Sequence, residues 1–67
     1  MKGGLRMVSW EVWAENEKGI EELNKFDSLS KAKEYYYGLK LEKYISAIIL
    51  QDGVGLMGFS IEEGVDW

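Results

Sequence analysis

Apolar and polar residues alternate in the first patterned stretch of the chain. Four apolar residues occur at every second position: Val8, Trp10, Val12 and Ala14. A period of two is typical of a strand that buries one of its faces. Trp13 departs from this pattern, because it lies on the otherwise polar side. The pattern therefore predicts a half-buried strand that carries one exposed aromatic residue.

A turn is predicted directly after this strand. The segment Asn16-Glu17-Lys18-Gly19 has Asn at the first and Gly at the fourth position of a type I turn. The turn would fold residues 20–26 back along the first strand as an edge strand. Ile20, Leu23 and Phe26 also suit a helical turn, so both interpretations remain open for this segment.

The middle of the chain shows the periodicity of a helix. Ser28 or Asp27 is placed to cap its first turn, and Gly38 indicates an end near Lys40. The apolar residues at helical spacing form the predicted buried stripe: Leu29, Ala32, Tyr36 and Leu39.

The last third of the chain, residues 44–61, is predicted to be a β-hairpin. Asp52-Gly53 separates two apolar runs, and this dipeptide favours a type I′ turn because both central residues need a positive φ. With a two-residue turn, Gln51 faces Val54 and every following pair is determined. Both faces of such a hairpin are apolar, so both must be covered.

We expect the helix to cover the bulkier of these two faces, which carries Tyr44, Ile48, Leu50, Met57, Phe59 and Ile61. The flatter face would then bind a second copy of the chain, since soluble monomers rarely expose such a patch. This predicted interface consists of Ile45, Ala47, Ile49, Val54, Leu56 and Gly58.

These elements predict an α+β fold of ββαββ order. One helix would cover a four-stranded, mostly antiparallel sheet in a small two-layer sandwich. The predicted organisation is a flexible lead-in over residues 1–6, a single domain over 7–61 and an acidic tail over 62–67 that ends in Trp67.

Length and composition favour an assembly. Sixty-seven residues bury a modest core, and small domains are commonly stabilised by disulfides, metals or oligomerisation. The chain has no cysteine and no histidine, which excludes disulfides and thiolate zinc sites. We therefore expect a homodimer with no cofactor and no metal. No apolar run reaches bilayer length, so no membrane contact is expected. Residues 1–6 lack the apolar stretch of a signal peptide, so the expected location is the cytoplasm.

Catalytic signals are weak. The adjacent carboxylates Glu21-Glu22 and Glu62-Glu63 would point to opposite faces of a strand, so neither is a ready acid–base pair. Residues 53–58 match the spacing GxGxxG, but they lie inside a strand and no helix follows, as a dinucleotide site requires. An enzyme would have to rely on carboxylates alone, and we expect no catalytic activity.

A second candidate surface lies on the helix. Lys31, Lys33, Tyr35 and Tyr37 could hold a single-stranded nucleic acid through stacking and phosphate contacts. Successive helical residues do not share one face, however, and the net charge of −4 is unlike the basic surface of a nucleic-acid binder. Nucleic acid is therefore not favoured as a partner. A surface that imitates nucleic acid would normally carry more negative charge than this chain does.

The tryptophans are the strongest functional signal. Trp10 is accounted for by the core, whereas Trp13 and Trp67 are not, unless Trp67 folds back over the hairpin. Because tryptophan is enriched in interface hot spots, both residues join the predicted protein interface. We predict a small protein-binding module or inhibitor with a foreign protein partner. The alternative is a structural subunit that binds only itself. In size and composition the chain is similar to small acidic α+β accessory proteins of phages and other mobile elements.

Overall fold

The described part of the chain forms a five-stranded antiparallel sheet with one helix on one face. The computed structural model describes residues 9–67, so the predicted lead-in over residues 1–6 and Val8 lie outside the described residues. The elements are β1 (Trp10–Glu15), β2 (Glu21–Phe26), α1 (Leu29–Leu41), β3 (Ser46–Gln51), β4 (Val54–Ser60) and β5 (Val65–Asp66).

The strand order is β2-β1-β3-β4-β5, and every neighbouring pair is antiparallel. The predicted α+β class and its single helix are confirmed. The predicted count of four strands is wrong, because β5 forms within the segment interpreted as an acidic tail. Two residues are too few to show a period of two, so the sequence pattern contained no signal for this strand.

The first turn forms as predicted and decides the nature of the segment after it. The N–H of Gly19 donates to the carbonyl oxygen of Asn16 at 2.9 Å, and Gly19 has a φ of +80°. The side chain of Asn16 accepts hydrogen bonds from the N–H groups of Lys18 and Ile20. The chain reverses tightly there, and β2 then pairs with β1 along its whole length. The edge-strand interpretation of residues 20–26 is therefore correct.

The helix also follows the prediction. Ser28 is the N-cap, and its hydroxyl oxygen accepts the N–H of Lys31 at 3.2 Å, which satisfies one of the free donors of the first turn. Ala32, Tyr36 and Leu39 are buried and face the sheet. The helix lies against β1, β2 and β3.

The β3–β4 hairpin begins in the predicted register and then departs from it. Asp52 and Gly53 have φ values of 51° and 83°, as a type I′ turn requires. Gln51 faces Val54, and Leu50 faces Gly55. The register then shifts by one residue at a β-bulge, so that Leu56 has no Cα partner and Ile49 faces Met57.

The predicted distribution of side chains between the two hairpin faces is therefore wrong in part. Ala47 and Ile49 are fully buried beneath the helix, although they were expected on the outer face. Their pairing with Phe59 and Met57 places all four on the helix side, because the bulge turns β4 over by one residue. The buried apolar core consists of Val12, Ala14, Ala32, Tyr36, Leu39, Ala47, Ile49 and Phe59.

A side chain near the end of the helix contacts β5. The ammonium nitrogen of Lys40 lies 3.2 Å from a carboxylate oxygen of Asp66 and 5.4 Å from the centre of the Phe59 ring. The Phe59 ring in turn meets Tyr36 edge to face at 5.5 Å. This exposed ion pair adds to the backbone pairing of β5 with β4, which holds the chain end on the sheet.

Candidate functional site

The sheet face opposite α1 is the candidate site. In the part of the chain that the structure describes, α1 is the one element outside the sheet, and it lies on a single face. Side chains on the other face therefore have no second layer over them within residues 9–67. We call this second surface the open face.

A row of apolar groups crosses the open face from edge to edge. Trp13 on β1 lies opposite Leu23 on β2 and opposite Ile48 on β3. Ile48 in turn lies opposite Gly58 on β4, and Gly58 pairs with Trp67. We call this set the open-face row; its side chains are Leu23, Trp13, Ile48 and Trp67, with Gly58 beneath the last.

Trp13 occupies the centre of the row and is held in position. Its indole Nε1 donates to the carboxylate oxygen Oε1 of Glu21 at 3.1 Å. This hydrogen bond crosses from β1 to β2 and satisfies the polar atom of the ring. The remainder of the ring is apolar and half-buried between its neighbours. An aromatic group that is pre-oriented in this way loses little conformational freedom when a partner binds.

Trp67 forms the end of the row next to β5 and is held there by backbone pairing. The N–H of Gly58 donates to the carbonyl oxygen of Trp67 at 3.0 Å, and the N–H of Trp67 donates back to Gly58 at 2.9 Å. The indole then lies directly over Gly58. A Cβ atom at position 58 would come within 2.6 Å of the ring carbon Cη2 and 2.8 Å of the carbonyl oxygen of Ala47.

These contacts show that Trp67 packs on the hairpin. The fold-back over the hairpin, the structural alternative to a free tryptophan, is the arrangement observed. The side chain nevertheless remains 58% exposed. Trp67 therefore both covers Gly58 and presents apolar surface to solvent.

Charged residues border the row, and most of them are acidic. On one side Glu21, Glu15 and Ser46 lie next to each other on β2, β1 and β3. On the other side lie Lys25 and Glu11, followed by the apolar Leu50. The open face thus has an apolar centre and a polar rim, which is the usual anatomy of a protein interface.

The structure brings part of the predicted interface together and separates the rest. Trp13 and Trp67 share the open-face row, and Gly58 lies beneath Trp67. Val54 and Leu56 are exposed at the tip of the β3–β4 hairpin. Ile45 is half-buried before β3.

Ala47 and Ile49 have no exposed surface, so neither can contact a partner without unfolding of the core. Sequence reasoning missed Leu23 as a member of the row, and its placement of Ile48 on the face covered by the helix is wrong. A strand-by-strand register would have been needed to align them with Trp13.

The second predicted surface on the helix does not form one platform. Lys31 pairs with Asp27 at 3.1 Å, and this contact lowers the pKa of the Asp27 carboxyl group. Tyr35 turns towards β2, where its ring packs against Phe26 at 5.3 Å. Tyr37 and Lys33 are exposed on the helix. The two tyrosines therefore point to different neighbours, as the helical period requires.

A tyrosine–carboxylate cluster on the helix side has no counterpart in the sequence predictions. The hydroxyl of Tyr44 donates to Glu22 Oε2 at 3.0 Å, and the hydroxyl of Tyr35 donates to Oε1 at 3.4 Å. Asn24 donates its side-chain N–H to the Tyr35 oxygen at 3.0 Å. Burial, together with Glu22, raises the pKa of Tyr35, and the hydrogen bond to Glu22 raises the pKa of Tyr44.

The cluster is suited to holding elements together. Glu22 accepts from two hydroxyl groups, one on α1 and one just before β3, so it joins the edge strand to both. Tyrosines with raised pKa values stay protonated near neutral pH and act as hydrogen-bond donors. Among residues 9–67, no three His, Cys, Asp or Glu side chains come together as a metal site would require.

Comparisons with other proteins add no evidence on function, so function is inferred from the geometry of the described residues. No family model, no curated protein and no solved structure matches the chain. Across the described residues, no helix combines the length and the apolar character needed to cross a bilayer.

Proposed function

We propose that the protein is a non-enzymatic binding module that docks a partner protein on its open-face row. One observation carries the proposal: one large apolar side chain from each of β2, β1 and β3, together with Trp67 directly after β5, lines up across a sheet face that no second layer covers within residues 9–67. Tryptophan anchors and an acidic rim support a protein partner, because interfaces concentrate their binding energy in a few aromatic residues within a polar border.

The exposure of the row supports the same role. Leu23 is 54% exposed and Trp67 is 58% exposed, although both extend a row whose centre is half-buried. Contiguous apolar surface of this kind is favourable to cover and is characteristic of interaction sites. The residues that border it contribute carboxylates, which would select a partner with basic groups around its apolar contacts.

A binding experiment with matched aromatic variants tests the proposal. Tagged protein is used to capture partners from lysate of the source cells, and each captured protein is purified and titrated against wild type and variants. Trp13→Ser removes the centre of the row. Tyr37→Ser removes an exposed aromatic side chain from the helix, on the other side of the molecule, and serves as the control.

We expect Trp13→Ser to weaken binding of a genuine partner by about 2 kcal/mol or more, the loss typical of a hot-spot residue. Tyr37→Ser should bind as wild type does. Circular dichroism is used to check that both variants are folded. A partner that binds wild type and Trp13→Ser equally well would contradict the proposed site.

A further inference from the structure

The outer edge of β2 presents backbone groups in a defined pattern. Within residues 9–67, β2 pairs with β1 alone. The N–H of Asn16 donates to the carbonyl oxygen of Ile20 at 3.1 Å, which continues the β1–β2 ladder by one pair. In an antiparallel ladder, hydrogen-bonded and non-bonded pairs alternate, so Glu22, Asn24 and Phe26 direct their backbone groups towards β1. The remaining residues of β2, which are Glu21, Leu23 and Lys25, direct theirs outwards.

We propose that two copies of the chain pair through this edge, β2 against β2, around a two-fold axis at Leu23. In that register Leu23 faces Leu23 of the second copy as a hydrogen-bonded pair. Lys25 of each copy then faces Glu21 of the other, also as hydrogen-bonded pairs. All outward N–H and C=O groups of the strand find partners, and opposite charges meet on both sides of the axis.

The other symmetric registers are poorer. An axis at Glu22 would place two Glu22 carboxylates opposite each other. An axis at Glu21 or at Lys25 would likewise place identical charges opposite each other, which destabilises a strand pair. An axis at Asn24 would leave Lys25 facing Leu23. The order of residues in β2 therefore complements itself in one register.

The carboxylate of Glu21 has capacity for this contact. Its Oε1 atom accepts from the indole of Trp13, and a carboxylate has further lone pairs on its second oxygen. Lys25 and Leu23 are both exposed, and they lie on the same side of the strand as Glu21. Leu23, 54% exposed in one copy, would gain an apolar neighbour at the axis.

The edge-paired dimer joins two five-stranded sheets into one and places two open-face rows end to end. It goes beyond the proposed function and does not depend on it, because the dimer uses the outward backbone groups of β2, whereas the proposed function uses the open face; Leu23 belongs to both surfaces. A self-pairing edge also differs from the dimer predicted through the hairpin face, two members of which, Ala47 and Ile49, are fully buried in the core.

A charge-exchange experiment tests the register. Sedimentation equilibrium measures the dimer dissociation constant of wild type, Lys25→Glu and Glu21→Lys. Each single variant replaces two attractive pairs by two repulsive pairs, so we expect each to weaken the dimer by about tenfold or more. An equimolar mixture of the two variants restores attraction at every pair, so the mixture should form a heterodimer of about wild-type affinity.

A backbone variant tests the edge independently of charge. Leu23→Pro removes an N–H group that points away from β1, and proline is tolerated at such positions of edge strands. We expect this variant to remain folded and to be monomeric. Asn24→Pro removes an N–H group that bonds to β1 and should instead destabilise the fold.

The proposal is overturned if wild type remains monomeric up to about millimolar concentration, the range of weak specific contacts. It is also overturned if a dimer forms whose affinity is the same in Lys25→Glu, or if the mixed variants fail to associate. A dimer that is lost in Trp13→Ser and kept in Lys25→Glu would assign self-association to the open face instead.

Discussion

The two faces of the sheet are formed by the same strands and differ in how they use large side chains. On the helix side, Val12 and Ile49 are fully buried beneath α1. On the open face, Trp13 and Ile48, their neighbours in sequence, are half-buried and form a row with an acidic rim. The comparison indicates that stability comes mainly from one face, while the other retains apolar area that a partner could cover.

The largest expected effect is a difference in the loss of stability between two adjacent residues of β3, one on each face of the sheet. Ile49→Ala empties space in the core and should lower the free energy of unfolding by about 2–5 kcal/mol. Ile48→Ala removes the same atoms from the half-buried open face and should cost roughly 1 kcal/mol. Urea denaturation measures both.

A small domain could unfold entirely after Ile49→Ala. Ile49→Val and Ile48→Val therefore provide a milder pair, in which the change at position 49 should again cost more unfolding free energy. Equal losses within either pair would show that the open face is as tightly packed as the helix side.

A second prediction concerns the contact beneath Trp67. Gly58→Ala brings a methyl group into the ring and into the Ala47 carbonyl oxygen, so we expect a loss of about 1–3 kcal/mol in unfolding free energy. Gly55→Ala lies on the same strand and face, but its new methyl group meets Ile48 at an ordinary 3.5 Å. This control should change stability by less than about 0.5 kcal/mol.

Removing the ring should relieve part of the strain at position 58. We therefore expect the cost of Gly58→Ala to be smaller in a Trp67→Ala background than in wild type. Denaturation followed by circular dichroism measures all four proteins of the cycle. Identical costs in both backgrounds would indicate that the indole does not lie on Gly58.

The smallest effect is expected at alkaline pH. The pKa values of Tyr35 and Tyr44 are raised above the ordinary 10.0 in the folded protein, so the native state retains protons that the unfolded chain has lost. Their contribution to stability is complete below pH 10 and is lost as the pH rises through the folded pKa values.

Variants of two adjacent glutamates, Glu22 on the helix side and Glu21 on the open face, test whether Glu22 contributes to the raised pKa values of the two tyrosines. Glu22→Gln removes the charge beside both tyrosines and should shift their titration, followed by tyrosinate absorbance, towards the ordinary value. Glu21→Gln changes a carboxylate that binds Trp13 on the open face, so it should leave that titration unchanged. A titration that is the same in Glu22→Gln and wild type would contradict the cluster.

Local signals in the sequence predicted the elements that depend on local chemistry. Ser28 specifies the start of α1, and Asp52-Gly53 specifies the hairpin turn, because a cap and a type I′ turn each require particular residues. The Asn16 turn and the strand before it were also predictable. These features need no knowledge of the rest of the fold.

The bulge at Leu56 was not predictable in this way. Both β3 and β4 are apolar on both faces, so a shift of one residue exchanges one apolar set for another and leaves no mark on the pattern. The open-face row depended on this register. Trp13 and Trp67 could be identified as unusual by residue type, but their alignment with Leu23 and Ile48 required the paired strands.

The central pairing of β1 with β3 has a consequence for the kinetics of folding. The β1–β2 and β3–β4 hairpins each close through a tight turn, and hairpins of this kind form within roughly 1–10 μs. Joining them requires Glu15 to meet Ser46 across the whole of β2 and α1, a loop whose closure carries a larger entropic cost. We therefore expect the folding rate to be governed by the meeting of the two hairpins beneath the helix, because contacts distant in sequence slow folding.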